Sequence, residues 1–590
     1  MIVEARRRLT DLNVMVAGQG GDGSLTVVSL LGLLLARRGF HLYSSRNVAS
    51  RVKGGHAAAL LRGSTVPRGG IGDDLDVLVA FDEEAVDKGR GRLAADGIVI
   101  FDASAGPLPA GRLPDSVRIF QVPFARMAVR DLRRDLFKNS IAFALLARVV
   151  GAADEEAVEC LRAGLQKLPA PVVEANLRAL EAGFGFADAN GLGAGEGPCV
   201  LDQAVDTPRL LITGNEAVSL GFVAAGGRFF AGYPITPASE ILAWMEEQLP
   251  ALGGVALQAE DELAAINMGI GAAMTGTRSM TATSGPGIAL MQEGVSHAGS
   301  AEVPLVIVDC QRSGPSTGMP TKPEQSDINM VVHGGNGDFP RIVLAPGDPT
   351  DCFELTVAAT NLAQRLQCPV YLLLDQQVAQ DSATVPPFDL AAVHIDAGKH
   401  LSAGDLAAMS EYRRYLITPD GVSPWASPGL PGGMNLVTGN ERSEWGLVSA
   451  DPANRTAMVD KRMRKVESVR SELPPARTWG DASAAVGVIG MGMESGVMAE
   501  VADLLAAEGR GFAFHQLRTV WPVPEETLRF IAARERVYVV EHNAEAQLAH
   551  LLASVGAPRE RMRSVLKYDG VPFRPGELAA VLRDGEAAER

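Results

Sequence analysis

Asn13 to Gly39 reads NVMVAGQGGDGSLTVVSLLGLLLARRG: an apolar run enters a glycine-rich turn and leaves as an apolar helical pattern. Val14 to Ala17 has the apolar, β-branched character of a buried strand, and beyond Gly23 valines and leucines recur at helical spacing. Strand, glycine turn and helix in that order form one arm of an α/β unit. Gly18, Gly20 and Gly23 also satisfy G-x-G-x-x-G, the turn that rests a dinucleotide pyrophosphate on a helix N-terminus. Such a site should show an acid about 20 residues further on, to hold the ribose hydroxyls. Here the next strand, FHLYSS, leads into Arg46. Ser44, Ser45 and Arg46 would suit a 2′-phosphate, which keeps an NADP-dependent oxidoreductase open. The other reading is that the glycines only let strand and helix pack closely.

Outward from this turn the chain is too long for one core, since 590 residues exceed the size at which single cores stop growing. A net charge of -16 argues against nonspecific nucleic-acid binding. The start, MIVEARRRL, lacks the apolar core of a signal peptide, and no run approaches the ~20 apolar residues of a membrane span. A cytoplasmic enzyme that meets neither nucleic acid nor membrane is expected. Cys160, Cys199, Cys310, Cys352 and Cys368 form no C-x-x-C and flank no histidine pair, so no metal ligand is assigned in this chain.

The apolar runs divide the chain. Residues 1–185 alternate strands (VMVAG, VLVAFD, IVIFDAS, IFQVPF) with helices and close into a Gly/Ala/Asp/Pro-rich linker, 186–208. Residues 209–390 form a second α/β domain in which each strand runs into a Gly/Pro/Ser/Thr turn, as an open sheet presents ligand loops at its carboxyl edge. Residues 391–482 are irregular, a length that points to function or interface. Residues 483–590 alternate again as a small α/β domain.

The second domain carries the chemistry. In Tyr233-Pro-Ile-Thr-Pro-Ala-Ser-Glu240 two prolines flank Thr236 and fix where its hydroxyl points, just before a helix whose free N–H groups suit a carboxylate. Thr236 or Ser239 as an ordinary helix cap is the alternative. Glu260, Asp261 and Glu262 precede a small-residue helix, where acids also simply complement the helix dipole. Arg312 follows the strand VPLVIVDCQ and precedes Ser-Gly-Pro; its bidentate guanidinium suits a substrate carboxylate, and a salt bridge to a nearby acid is the alternative.

Whole phrases resemble one family. GQGG at 18–21 followed by RNVASRVKGGHA is similar to the gamma domain of the 2-oxoacid:ferredoxin oxidoreductases, although Lys53 stands where that family usually has arginine. GNEA, GYPITPASEIL, TSGPGIALM, QRSGPSTGMPTKPEQSD, PDGVSPWASPG, VVEHN and KYDGVPF resemble its alpha subunit, nearest the 2-oxoglutarate branch. The resemblance implies a Rossmann-like gamma domain, a thiamine diphosphate (pyrimidine-binding) domain and a transketolase C-terminal-like α/β domain. It implies oxidative decarboxylation of a 2-oxoacid to acyl-coenzyme A and CO2, with electrons passing to ferredoxin and the direction reversible; pyruvate and branched-chain oxoacids are the alternative substrates. By position Glu260 matches the carboxylate that contacts the cofactor's aminopyrimidine, with Glu262 in reserve, and Tyr233, Pro234, Ile235 and Thr236 border it. Thr236, Arg312, Thr317 and Lys322 would meet the substrate, with Lys322 and Arg341 as candidates for a second carboxylate. Arg46, Arg51 and Lys53 would meet coenzyme A phosphates. A diphosphate-binding Mg2+ motif and cluster cysteines are missing, so Mg2+ and a [4Fe–4S] cluster are expected in a separate beta subunit, in a heterotetramer of two alpha and two beta chains.

Overall fold

The computed structural model describes residues 7–48, 55–132, 137–193, 197–201, 207 and 209–585. These fall into two compact units, Met1–Leu211 with Asp381–Pro386, and Ile212–Gln380 with Pro387–Arg590.

In the first unit one sheet runs, in spatial order, Arg118–Val122, Leu93–Asp102, Leu75–Ala80, Asp11–Gln19, His56–Ser64, His41–Val48, Ser382–Val385 and Leu210–Thr213. Asp11–Gln19 is parallel to Leu75–Ala80 but antiparallel to His56–Ser64, which is in turn antiparallel to His41–Val48. Half of the sheet is therefore a Rossmann-like parallel layer. In the other half a hairpin stands where the second parallel strand of a dinucleotide fold would lie. The FHLYSS segment thus does not neighbour the glycine-turn strand. The helix Ser24–Arg37 packs against Lys138–Val149, which is buried along its whole length and reads apolar almost all round, as a fully enclosed helix must.

The second unit holds two sheets. Val255–Gln258, Phe229–Gly232, Ser279–Thr283, Leu305–Gln311, Pro369–Asp375 and Ile342–Leu344 are all parallel. Their inner members are unbroken apolar runs because helices cover both faces. The seventh strand, Thr519–Trp521, comes from the C-terminal region and adds antiparallel to Ile342–Leu344. The second sheet is Arg477–Gly480, Ala513–Gln516, Val486–Gly490, Arg536–Glu541 and Met562–Leu566. Two details depart from the boundaries read in the sequence. Ser382–Val385 returns to the sheet of the first unit, and the last sheet begins at Arg477 rather than after 483.

The irregular 391–482 stretch packs on the second unit by supplying cations to two helix C-termini. Glu302 ends the helix Gly285–Ala301 and Gln367 ends Pro349–Leu366, both in left-handed backbone. Arg414 donates 2.7 Å to the Glu302 carbonyl and 2.9 Å to Gln367 Oε1. From the helix Pro452–Glu467, Lys461 and Lys465 reach the fully buried Glu302 carboxylate at 2.7 and 2.6 Å. Burial opposes ionisation of Glu302, but the two lysines and Arg414 outweigh it and hold the carboxyl below its usual range. Cations at helix C-termini also answer the negative end of each macrodipole.

Candidate functional site

In the first unit the glycine turn is filled by the protein itself. Asp22 Oδ2 accepts from the Gln19 N–H at 2.8 Å and its Oδ1 accepts from Lys138 Nζ at 2.7 Å. Gly20 donates its N–H to the Gly55 carbonyl at 2.8 Å, and a Cβ there would sit 2.8 Å from that oxygen. At Gly23, where φ is +82, a Cβ would fall 1.9 Å from Asn139 Nδ2. The glycines serve backbone packing, and the Asp22 carboxylate is taken up by the turn itself and by Lys138. Arg46 is half-buried at the end of its strand; Arg51 and Lys53 lie outside the described residues.

In the second unit the loops converge at the carboxyl edge of the parallel sheet. Phe229–Gly232 stops at Pro234, and the helix Ser239–Gln248 starts after Pro237, leaving Tyr233 to Ala238 as a loop. Tyr233 and Pro234 are exposed; Ile235 and Thr236 are half-buried. Arg312, the first residue beyond Leu305–Gln311, is buried and donates from Nη1 to the Thr236 carbonyl at 2.8 Å. Its Nε–H is shut from solvent and has no partner. Burial lowers the pKa of Arg312, with Asp327 opposing. The loop closes on itself, with Ser313 N–H on the Lys322 carbonyl and Met319 N–H on the Ser313 carbonyl, both at 2.9 Å. Thr317 is exposed at its tip and Lys322 half-buried at its base.

The three acids separate by environment. Asp261 caps the helix Glu262–Met274, accepting from the Ala264 N–H at 2.7 Å. Glu260 is exposed, whereas Glu262 is 6% exposed. A Cβ on Gly287 would meet Thr283 Oγ1 at 1.9 Å and Glu262 Oε1 at 2.9 Å, so the glycine lets these two groups lie under the turn at 284–287. Thr283 Oγ1 and Ser284 Oγ are buried without partners. A buried carboxyl beside unsatisfied hydroxyls, cradled by a glycine, fits a polar heterocyclic cofactor edge. Arg341 is spent elsewhere: it donates to the Gly334 carbonyl at 2.6 Å, closing the helix Ile328–His333, and stacks on Phe339. Among the described residues no group of three or more His, Cys, Asp or Glu side chains could hold a metal ion, and no helix is long and apolar enough to cross a membrane.

A second set of residues, partly within the phrases PEQSD and VVEHN quoted above, has no role assigned from the sequence. Gln325, wholly buried, donates through Nε2 to Glu494 Oε2 (2.6 Å), Asp375 Oδ2 (3.2 Å) and the Met491 carbonyl (3.1 Å). Its backbone N–H donates to the His542 carbonyl at 2.7 Å, and His542 Nδ1 pairs with Glu494. Asn543 Nδ2 donates to the Gln325 carbonyl at 3.1 Å. This clamp ties the far end of the Arg312 loop to the C-terminal sheet. The polar EHN closing the apolar run VYVVEHN is the nearest thing to a hint, since a buried strand ending in three polar residues must satisfy them somewhere.

Comparison with known proteins follows this geometry. Residues 221–415 match the family described as "Pyruvate flavodoxin/ferredoxin oxidoreductase, thiamine diP-bdg", and residues 13–186 match "Pyruvate ferredoxin/flavodoxin oxidoreductase". The chain is similar to a 2-oxoacid:ferredoxin oxidoreductase subunit alpha of Sulfolobus, 31% identical and covering 98% of each chain. It is similar to the 2-oxoglutarate oxidoreductase subunit KorA of Mycobacterium tuberculosis, 30% identical over 98% of this chain and 92% of the relative. Among solved structures, the 2-oxoglutarate:ferredoxin oxidoreductase of Magnetococcus marinus, with 2-oxoglutarate, coenzyme A and succinyl-CoA bound, superposes with a TM-score of 0.91. It is 33% identical over 98% of this chain and 99% of that one.

Proposed function

The chain belongs to the 2-oxoacid:ferredoxin oxidoreductases, as an alpha subunit with a gamma-type domain fused ahead of it, and from that premise we propose that its substrate is 2-oxoglutarate. The product is the acyl-coenzyme A, with CO2 released and electrons passed to ferredoxin through a beta subunit. The contact between Arg312 and the Thr236 carbonyl carries this reading, because it brings together the two loops proposed to bind the substrate carboxylate.

With Nη1 held by the Thr236 carbonyl, the remaining N–H groups of the Arg312 guanidinium are proposed for a substrate carboxylate. Hydrogen bonds there are charge-assisted, about twice as strong as neutral ones. The Thr236 hydroxyl sits on the same loop and would orient the adjacent keto group. Lys322, at the base of the Arg312 loop, is the cation proposed for the second carboxylate of 2-oxoglutarate, with Thr317 at the tip. Thiamine diphosphate, when bound, supplies the nucleophilic carbon that attacks the keto group. Tyr233 to Thr236 would border it, and Glu262 rather than exposed Glu260 would exchange a proton with N1′ of its pyrimidine. The Glu262 carboxyl is buried next to Thr283, away from bulk water, where general acid–base catalysis through the cofactor would be placed. Arg46, Arg51 and Lys53 are proposed for coenzyme A phosphates, and Mg2+ and a [4Fe–4S] cluster for the beta subunit of an (alpha–beta)2 assembly.

The test is to co-express the chain with the gene product encoded beside it and assay a panel of 2-oxoacids with coenzyme A and a viologen acceptor. Reduction with 2-oxoglutarate foremost is expected. A preference for pyruvate or a branched-chain oxoacid would move the substrate within the family, and no reduction with any oxoacid would overturn the reading.

A further inference from the structure

The Arg312 loop is held at its two ends by different parts of the chain. Arg312 itself is fixed by the end of its strand and by the Thr236 carbonyl. The far end is carried by the C-terminal region. Beyond the Gln325 clamp, Gln547 Nε2 donates to the Ser326 carbonyl at 2.8 Å, and the Asn329 N–H donates to Gln547 Oε1 at 3.0 Å. Between the two ends lies Lys322, whose carbonyl accepts from the Ser313 N–H and whose own N–H donates to the Met319 carbonyl at 3.0 Å.

A third support touches Lys322 directly. In the phrase KYDGVPF, Gly570 is buried although Tyr568, Asp569 and Val571 around it are exposed. What covers it is the Arg312 loop: a Cβ built on Gly570 would lie 2.9 Å from Met319 Cε and 3.1 Å from Lys322 Cβ. The Met319 methyl ends a flexible side chain and can turn aside. Lys322 Cβ is one bond from the backbone and cannot, so it would be pushed back with its part of the loop. The turn that carries Gly570 is itself fixed. The Val571 N–H donates to Asp569 Oδ1 at 2.9 Å, and Lys567 Nζ reaches Asp569 and Glu577 at 3.0 and 2.7 Å. The Phe573 ring packs edge-on against His542, which joins this turn to the Gln325 clamp. In a close-packed contact of this kind, a single added methyl group is felt.

We propose that Gly570 is a positioning residue for the oxoacid site, and that by lacking a side chain it seats Lys322 where the second carboxylate of a dicarboxylic oxoacid is met. The C-terminal region then takes part in choosing the substrate, although its own side chains need not touch it. The contact between Gly570 and Lys322 stands on geometry; its effect on substrate choice rests on reading Lys322 as the cation for the second carboxylate. Gly570 has a φ of +73, which glycine adopts without strain, so an added side chain there introduces both backbone strain and the contact. Gly509, in the same region, separates the two. Its φ is +75, and no heavy atom lies within 4 Å of where its Cβ would be.

The experiment compares Gly570→Ala with Gly509→Ala, which share the strain and differ in the contact. In the purified full chain, hydrogen exchange of the 313–322 amides should quicken in Gly570→Ala and keep the wild-type rate in Gly509→Ala. In the assembled enzyme, KM for 2-oxoglutarate should rise about tenfold in Gly570→Ala, since a misplacement of about 1 Å can cost about a hundredfold and a Cβ here asks for less. Turnover at saturation should be unchanged, as for the loss of a contact made equally in ground and transition states. For 2-oxopentanoate, the same carbon chain without the second carboxylate, KM as substrate or Ki as competitor should stay near the wild-type value. Gly509→Ala should alter neither. Exchange that is unchanged in Gly570→Ala, or equally quickened in both variants, would overturn the positioning. Equal weakening of 2-oxoglutarate and 2-oxopentanoate, or of neither, would overturn the role in substrate choice. Were no oxoacid turned over, the exchange rates would still decide the positioning, so that failure and a failure of the proposed function are told apart.

Discussion

Lys138 Nζ lies 2.7 Å from Asp22 Oδ1 across the glycine turn of the first unit, and Lys138 is 7% exposed. A buried lysine paired with the one acid of a G-x-G-G-x-G turn makes that turn electrically complete. No charge is left over for a pyrophosphate, and Asn139 and Gly55 fill the space beside Gly23 and Gly20. Titration of the full chain with NADPH should therefore give no saturable change in cofactor fluorescence. Gly20→Ala should destabilise the first unit by about 1–3 kcal/mol, the usual cost of overpacking, because its Cβ would meet a backbone oxygen that cannot move aside. A denaturant midpoint unchanged in Gly20→Ala would show that the turn has slack.

Glu260 and Glu262 stand two residues apart yet predict opposite outcomes. Glu262→Gln removes the buried acid proposed to meet the cofactor's pyrimidine, and turnover in the assembled enzyme should fall by about 10²–10⁴-fold, the range for lost general acid–base catalysis. Glu260→Gln changes an exposed side chain, and turnover should stay within about threefold, as surface substitutions seldom matter more. Paired initial-rate measurements decide between them; equal losses in both variants would remove the ground for preferring Glu262.

Arg312→Ala deletes the guanidinium proposed for the substrate carboxylate. Hydrogen bonds to charged groups contribute about 1.5–3 kcal/mol, so KM for the oxoacid should rise about ten- to a hundredfold, and Arg312→Lys should recover little because the fork is lost. An unchanged KM with lowered thermal stability would make the arginine a structural tie to the Thr236 loop.

The α/β character of both units and the gathering of the Thr236 and Arg312 loops at a sheet edge were legible in the sequence. Buried parallel strands write themselves as apolar runs, and the loops as Gly/Pro punctuation. Three things were not. The antiparallel hairpin of the first unit looks like any other pair of strands, since direction leaves no periodic mark. Glu260 and Glu262 are equivalent in spacing, and only the packing of Gly287 against Thr283 and Glu262 tells them apart. The clamp joining Gln325 to Glu494 and His542 links segments far apart in the chain, a pairing that local pattern does not encode.

Glu302→Gln would leave Lys461 and Lys465 buried with no carboxylate between them. Breaking a buried ion pair from one side costs about 3–5 kcal/mol, and here two lysines are orphaned. The variant should lose that much stability, read as a lower denaturant midpoint with an unchanged slope, while Lys461→Met, which removes one charge of the excess, should be milder. A neutral Glu302→Gln would mean that water reaches the lysines.

His515 is 1% exposed, with Nε2 within 2.9 Å of Thr527 Oγ1 and its ring against Phe530. Burial, aided by Arg534, pushes its pKa down from 6.5 to about 4. The folded protein therefore keeps His515 neutral where the unfolded chain would protonate it. Between those two values the unfolded state binds more protons, so stability falls as pH drops from about 6.5 to about 4. Each tenfold difference in proton affinity between the two states is worth about 1.4 kcal/mol, so the loss approaches about 3 kcal/mol at the acid end. His515→Gln keeps a partner for Thr527 without titrating, and its stability curve should be flatter over this window by that amount. Urea midpoints measured across the window, wild type against variant, decide it: parallel curves would mean that His515 already protonates in the folded state.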